Sequence, residues 1–344
     1  MVLLIGDEDI SKVKFSPEEV IEAVESAYRQ DGLGLAQDTP RREVRIKGRD
    51  LPHIAPGTTS VGDGLAYLEE TGVVVLSLAF HFDWHKYLNY LMDPEDGAIL
   101  AILNRGRTPF GVKSTGISVG ALRTGAAAAI GAKYLGRRDV EAVGVIGTGR
   151  IGRASLLCLS KVRGFDRVYA HSGRRRDEGF AAEMGRMIGV EVVAAGSPEE
   201  VVRNSNVLVT ATYATEPFVR GDWVGDGTHI SGMGADGPHK AEMDAETFAK
   251  ASKIAIDGVK CFQIGEMARS IEAGILRPGD IYGRIGEIVA GVKPGREDNS
   301  EITVFESDGT HIQSAAVAWL IYEKVKEAGL GVEVSRLSSF FLNP

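Results

Sequence analysis

Apolar residues near the start of the chain recur first at helical spacing and then in short strand-like runs. Ser16-Pro17-Glu18-Glu19 has the form of an N-cap, a proline at the first helical position and a capping-box glutamate. It predicts an amphipathic helix from Pro17 to about Arg29. Runs typical of strands follow at 44–46, 65–68, 73–78 and 98–103. The pattern indicates an α+β domain.

The pattern then changes to an alternation of strands and helices. The small residues of 121–135 predict a helix that other elements can approach closely. Beyond it, strands are predicted at 143–146, 167–170, 190–193, 207–210, 228–231 and 253–256, with helices between them at 178–188 and 198–203. This alternation is typical of an α/β fold with a doubly wound parallel sheet. A last helix at about 311–326 is expected to return to the first domain.

A glycine-rich turn joins the strand at 143–146 to a helical run. Its sequence is Gly147-Thr148-Gly149-Arg150-Ile151-Gly152, which fits G-x-G-x-x-G. Gly147 allows a tight turn, Gly149 lets the backbone approach a pyrophosphate, and Gly152 lets helix and strand pack closely. The turn therefore predicts a Rossmann dinucleotide site, the alternative being a glycine-rich turn of another α/β domain.

The end of the second Rossmann strand favours NADP over NAD. Ser172 is followed by Arg174, Arg175 and Arg176, and no carboxylate appears until Asp177. A carboxylate there would accept from the ribose 2′-OH, whereas arginine can hold a 2′-phosphate bidentately. The alternative is a solvated basic start to the next helix. We expect NADP, with NAD possible.

Composition and charge exclude several classes of protein. The 344 residues carry a formal net charge of -8, which argues against general nucleic-acid binding. The start of the chain lacks a basic region and a long apolar run, so neither a signal peptide nor a membrane anchor is expected, and the cytoplasm is the expected location. Cys158 and Cys261 are too far apart to suggest a thiolate metal site. The histidines at 53, 81 and 85 favour local hydrogen bonds, so no metal site is predicted.

Several ordered blocks resemble the ornithine cyclodeaminase/μ-crystallin family, which also includes archaeal-type alanine dehydrogenases and ketimine reductases. The blocks span 123–127, 132–135, 207–212, 286–291 and 301–305, and the most specific is the segment 227–244, GTHISGMGADGPHKAEMD. The resemblance is good from about 118 to 330 and loose before that. It implies a substrate-binding and dimerisation domain at 1–117 with 311–344, a Rossmann domain at 118–310, and an active site in the cleft between them.

The resemblance also implies roles for individual residues. It assigns Arg123 and Arg42 to the substrate carboxylate and Asp236 to proton transfer, and it places Thr212 and Met233 at the cofactor. Two guanidinium groups can hold a carboxylate beside a nicotinamide, and an aspartate in an apolar cleft can exchange a proton. The alternatives are a turn aspartate at 236, an interface arginine at 123, and Arg41 or Arg45 in place of Arg42.

The chain departs from the family at the substrate pocket. Val74 occupies the position where family members usually have a lysine, and Ser314 stands where an aspartate is usual. Because valine neither donates a proton nor pairs with a charge, Lys113 or Lys86 becomes a candidate replacement. Each of these lysines is also consistent with a solvated surface residue. His229 and His311 are alternative proton donors, and His229 is expected to be structural.

These features predict an NAD(P)-dependent oxidoreductase. The expected reaction is reversible hydride transfer to the carbon next to the carboxylate of a small imino or 2-oxo acid. One alternative is redox-neutral cyclodeamination, in which tightly held NAD accepts and returns the same hydride. The other is a binding protein that keeps the nucleotide fold without turnover.

Overall fold

The computed structural model describes residues 1–40, 42–45, 60–80, 87–104, 117–173 and 178–335. The chain divides into two units. The first comprises residues 1–120 and 310–344, and the second comprises residues 121–309. Among the described helices, none is both long and apolar enough to cross a lipid bilayer.

A mixed sheet forms the framework of the first unit. Its described strands are β1 (Val2–Ile5), β2 (Ala36–Asp38), β3 (Arg42–Arg45), β4 (Ser60–Leu68), β5 (Val73–Phe80), β6 (Tyr87–Met92), β7 (Ile99–Asn104) and β16 (Val332–Val334). The strand order is β16-β1-β7-β6-β5-β4-β2, and β3 also pairs with β4. The pair β1–β7 is parallel, and the other described pairs are antiparallel.

Three described helices accompany this sheet: α1 (Asp7–Lys12), α2 (Pro17–Gly32) and α10 (His311–Glu327). The predicted cap of α2 is confirmed, because the Glu19 amide donates to Ser16 Oγ at 3.1 Å and the Ser16 amide donates to the Glu19 carboxylate at 2.7 Å. Helix α10 packs on α2 and on strands β4 and β5. Gln313 of α10 donates to the buried Tyr28 hydroxyl of α2.

The framework of the second unit is a doubly wound parallel sheet. Its described strands are β8 (Ala142–Ile146), β9 (Arg167–His171), β10 (Glu191–Ala194), β11 (Val207–Thr210), β12 (His229–Gly232), β13 (Lys253–Ile256), β14 (Gly283–Arg284) and β15 (Thr303–Glu306). The order is β10-β9-β8-β11-β12-β15-β13-β14. Strand order reverses between β8 and β11, and ligands of such sheets bind at the carboxyl ends of the strands beside that point. The predicted fold class is confirmed.

Seven described α-helices accompany this sheet. They are α3 (Val119–Leu135), α4 (Arg150–Val162), α5 (Glu178–Ile188), α6 (Pro198–Arg203), α7 (Ala245–Lys250), α8 (Gly265–Glu272) and α9 (Ile285–Val289). The small residues of α3 allow close contact, as predicted. A Cβ at Gly125 would lie 2.5 Å from the Ala154 carbonyl carbon, and a Cβ at Gly131 would lie 2.5 Å from the Phe305 ring. Strands β11, β12 and β13 are buried along their whole length, which explains the mostly apolar sequences of β11 and β13.

Candidate active site

The glycine-rich turn lies between β8 and α4, at the carboxyl edge of the parallel sheet. Gly147 has φ +108°, a conformation that favours glycine, and its amide donates to the His171 carbonyl at 2.9 Å. A Cβ at Gly152 would collide with the Gly147 carbonyl oxygen, so only glycine fits at this position. At Gly149, the N-cap of α4, a Cβ would meet no described atom within 4 Å.

This turn fits a pyrophosphate. The space beside Gly149 is open to a ligand, and the amides of the first turn of α4 have no intrahelical partner. That first turn contains no acidic residue that would repel an anion. Thr148 and Ile151 are half-buried and Arg150 is exposed, so the turn presents both backbone and side chains to the carboxyl edge.

Thr212 and Met233 extend this surface along the neighbouring strands. Thr212 follows β11, and its Cγ2 would lie 3.1 Å from a Cβ at Gly147. Met233 follows β12, is buried, and donates its amide to the Thr210 carbonyl at 2.9 Å. The predicted cofactor segments after β8, β11 and β12 therefore lie side by side. Ser172, which follows β9, is half-buried.

Glu242 joins two of these loops, and the sequence analysis did not identify it. Its Oε1 accepts the Thr212 amide at 2.5 Å and the Thr212 hydroxyl at 2.6 Å, while Oε2 accepts the Gly234 amide at 3.0 Å. The side chain is fully buried. Burial, reinforced by the neighbouring Glu266 carboxyl, raises the pKa of Glu242 to about 7.

Asp236 lies on the loop after β12, and its partner is Lys240. The Lys240 ammonium forms an ion pair with Asp236, lies 3.4 Å from the Gly234 carbonyl oxygen, and stands 4.3 Å from the centroid of the Tyr213 ring. Within its unit, the Asp236 side chain is 59% exposed, whereas that of Lys240 is 10% exposed. The carboxyl is thus held by a cation on one side and open on the other. The expected apolar surroundings of Asp236 are not found within this unit.

Sequence reasoning assigned no role to Lys240, although a signal was present. Asp236 and Lys240 are four residues apart, a spacing that brings side chains together in a tight turn as well as on a helix. An acid with a lysine at this spacing inside a motif block is a reason to consider both residues. Lys240 fixes the position of the Asp236 carboxyl and shares its loop with Glu242.

Arg123 lies on α3, where it packs against the loop that follows β15. Its Nη1 would be 2.8 Å from a Cβ at Gly309, which has φ +83°. The buried Asp257 shapes this loop, because its Oδ2 accepts the Ser307 hydroxyl at 2.5 Å and the Gly309 amide at 2.9 Å. Glycine at 309 therefore leaves room for the guanidinium group.

In the first unit, Arg42 and Val74 share one face of the sheet. Arg42 pairs with Asp63 and Val74 pairs with Tyr67, and these two partners are four residues apart on β4. Because side chains alternate along a strand, both positions lie on the same face. The Arg42 side chain is exposed. This arrangement agrees with the prediction that both positions belong to the substrate pocket. The binding of the substrate carboxylate by Arg42 stays a prediction.

Several predicted residues lie outside the described part of the chain: Lys113, Lys86, Arg174, Arg175, Arg176, His53, His81 and His85. Within the described ranges, no group of three or more histidine, cysteine or acidic side chains is placed to hold a metal ion. Cys158 and Cys261 are both buried free thiols.

His229 is a structural residue in the core. Its Nδ1 lies 2.9 Å from Thr303 Oγ1 and its Nε2 lies 3.0 Å from Ser231 Oγ. Complete burial lowers the pKa of His229 to about 3, so the ring stays neutral at physiological pH. It is therefore unsuited to donate a proton to a substrate.

A profile of the ornithine cyclodeaminase/mu-crystallin family matches residues 4–329. The chain belongs to this family. The match covers nearly the whole chain, including the amino-terminal region where the sequence blocks are loose. One profile spans both units, so both units belong to the family.

Solved structures of family enzymes superpose well on this chain. A Thermococcus litoralis Δ1-pyrroline-2-carboxylate reductase, in complex with NADH and L-proline, is 31% identical, with a TM-score of 0.82 over 96% of this chain and 100% of that chain. An archaeal alanine dehydrogenase, a dimer with bound NAD, is 31% identical, with a TM-score of 0.82 over 97% of this chain and 99% of the other. The iminosuccinate reductase of Paracoccus denitrificans, in complex with NAD+, is 26% identical, with a TM-score of 0.85 over 97% and 99% of the two chains.

Proposed function

We propose that this chain is an NAD(P)-dependent oxidoreductase that transfers hydride reversibly to the carbon next to the carboxylate of a small imino or 2-oxo acid. The observation that carries the proposal is the turn between β8 and α4. Its backbone at Gly147 and Gly152 admits glycine alone without strain or collision, while Gly149 leaves open the space that a pyrophosphate would take. Pyrroline-2-carboxylate, alanine and iminosuccinate enzymes among its relatives support the substrate class.

Different residues of the chain have separate roles in this reaction. The nicotinamide cofactor would supply or accept the hydride, and residues 147–152, Thr212 and Met233 would hold it. Arg123 binds the substrate carboxylate through its planar guanidinium group, and the resemblance assigns Arg42 the same ligand. Asp236, held by Lys240 and exposed to water, relays a proton from water to the substrate nitrogen or oxygen when the neighbouring carbon receives hydride.

We also propose a homodimer, as in the archaeal alanine dehydrogenase, which is a dimer. Two exposed apolar side chains of the first unit support this proposal: Val44 is 72% exposed and Leu65 is 40% exposed. Such side chains favour a protein partner over water. The cytoplasm remains the expected location.

The proposed reaction is tested by following nicotinamide absorbance at 340 nm. Purified enzyme is mixed with NADPH or NADH and a panel of cyclic imino acids, and with 2-oxo acids plus ammonia or methylamine. Substrate-dependent oxidation of the cofactor is the expected result, and it ranks the substrates. Ammonia release from a diamino acid without any net absorbance change would point to cyclodeamination instead. Cofactor binding with no turnover of either kind would favour the alternative that the chain binds the nucleotide without catalysing a reaction.

The predicted preference for NADP has its own test in Arg174→Ala. The guanidinium group is expected to pair with the 2′-phosphate, so its removal should weaken NADPH binding about 10-fold and leave NADH binding nearly unchanged. Dissociation constants for both cofactors are measured by fluorescence titration. Arg167→Ala is the control, because Arg167 is exposed at the other end of β9 and pairs with Glu191 at 2.7 Å. Equal losses for both cofactors in Arg174→Ala would contradict the NADP prediction.

A further inference from the structure

The three hydrogen bonds at Glu242 connect the loops that follow two central strands. Thr212 belongs to the loop after β11 and Gly234 to the loop after β12, and both loops lie at the proposed cofactor edge. Thr212 packs against Gly147, so a shift of its loop would change the turn between β8 and α4. The Glu242 carboxyl thus fixes the spacing of three segments at the proposed cofactor edge.

All three partners of Glu242 donate hydrogen bonds. The two oxygens receive the Thr212 amide, the Thr212 hydroxyl and the Gly234 amide. A carboxylate can accept all three. A protonated carboxyl is a poorer acceptor, and its O–H could go only to a threonine hydroxyl, of Thr212 or Thr210, which would then have to turn its own proton away. The arrangement therefore favours the ionised form of Glu242.

Two more buried carboxyls stand behind Glu242. Glu266 of α8 uses its Oε2 to accept the amides of Glu242 and, at 2.9 Å, of Met243. Glu306, at the end of β15, faces Glu266, and neither Glu306 oxygen receives an N–H or O–H from any other described group. The proton in this cluster therefore belongs on Glu306, directed to Glu266, because the other two carboxyls need their lone pairs for amides.

We infer that Glu242 is a positioning residue for dinucleotide binding, which holds the loops after β11 and β12 in their binding positions most firmly while its carboxyl is ionised. This inference rests on the proposed function. The charged group that acts on Glu242 from the packed elements is Glu266 of α8, whereas Glu306 of β15 carries the proton of the cluster. Asp257 acts on Glu306, and Arg269 acts on Glu266. Lys240, on the same loop as Glu242, is paired with Asp236.

A pH-dependent affinity follows. Glu242 has a pKa of about 7, so it takes up a proton as the pH falls through neutrality. The carboxyl then holds the loops by weaker hydrogen bonds, and affinity for the dinucleotide decreases toward low pH. NADH is the appropriate probe because it lacks a 2′-phosphate, whose own titration near pH 6 would obscure the effect.

The test is fluorescence titration of NADH between about pH 6 and pH 8.5. We expect wild-type affinity to fall on the acid side with a midpoint near pH 7. Glu242→Gln, which offers an NH2 to a donor, should bind NADH about 10-fold more weakly at pH 8.5, with a flat pH profile. At saturating cofactor, kcat should change much less than the Kd for NADH, since the residue does not contact the reacting atoms. Glu306→Gln is the control, because glutamine replaces a protonated carboxyl that accepts no amide, and it should keep both affinity and midpoint.

A second variant maintains the test if Glu242→Gln does not fold. Thr212→Val removes the hydroxyl donor to Glu242, together with the acceptor of the Ala214 amide. Loss of the donor disfavours the ionised form of Glu242, so the midpoint for NADH binding should move to higher pH. An unchanged midpoint in Thr212→Val, or wild-type affinity in Glu242→Gln, would overturn the inference. Failure of the wild type to bind NADH or NADPH at all would instead remove the proposed function.

Discussion

Replacing Asp236 by asparagine is expected to lower kcat by about 100-fold or more while the Kd for NADH changes little. Asparagine keeps the shape of the side chain but cannot exchange a proton. The carboxyl is 59% exposed and paired with Lys240, so its loss should affect the reaction more than the fold. Steady-state kinetics with the best imino-acid substrate and NADH titration give the two quantities.

Asp222→Asn is the matched control for this experiment. Asp222 is another partly exposed aspartate of the second unit, in an ion pair with Arg220 at 3.2 Å. Exposed pairs such as Arg220–Asp222 contribute about 1 kcal/mol or less, so Asp222→Asn should unfold close to the wild-type temperature. Asp236→Asn should unfold at a somewhat lower temperature, because it leaves the buried Lys240 ammonium without its ion-pair partner. If Asp236→Asn loses turnover and cofactor affinity to the same extent, Asp236 supports the site without transferring a proton.

Gly149→Ala is expected to weaken dinucleotide binding about 30-fold without destabilising the protein. The new methyl group would enter space that no described atom occupies within 4 Å, and the backbone at Gly149, φ -77° and ψ -164°, suits alanine. A pyrophosphate that approaches the α4 amides would meet that methyl group. NADH titration and thermal unfolding separate the two effects.

Two other glycines provide the comparison. Gly164 lies just beyond the carboxyl end of α4, and a Cβ there would also meet no described atom within 4 Å, so Gly164→Ala should leave both binding and stability unchanged. Gly152→Ala should impair folding, because its Cβ would collide with the Gly147 carbonyl oxygen. Wild-type affinity in Gly149→Ala would show that the pyrophosphate takes another path.

Local signals were sufficient to predict much of the fold. Helices α5 and α6 were predicted with their observed bounds, 178–188 and 198–203, because apolar spacing and, for α6, a Ser197 cap with Pro198 mark their limits. Six strands of the parallel sheet, β8 to β13, were predicted within one residue, since their apolar residues are bounded by polar turns. The two-residue strand β14 was not predicted. The family match and the glycine-rich turn at 147–152 also agree with the predicted α/β fold.

The elements that were missed depend on distant partners. Strand β6 was not predicted because Asn89 interrupts its apolar pattern, yet Asn89 is buried and donates to Ser77 of β5 at 2.6 Å. Strands β1, β2 and β16 are short and gain their pairing only from the assembled sheet. The cluster of Glu242, Glu266 and Glu306 had no local signal, because its members come from three separate segments.

The topology of the two sheets also determines the order in which this protein can fold during synthesis. The second unit ends at Gly309, whereas the first needs residues 310–344 to supply α10 and β16. While the ribosome adds those last residues, the face of β4 and β5 that α10 covers remains open to water and to other nascent chains. The dinucleotide unit can therefore complete its sheet before the amino-terminal unit, although its residues are made later.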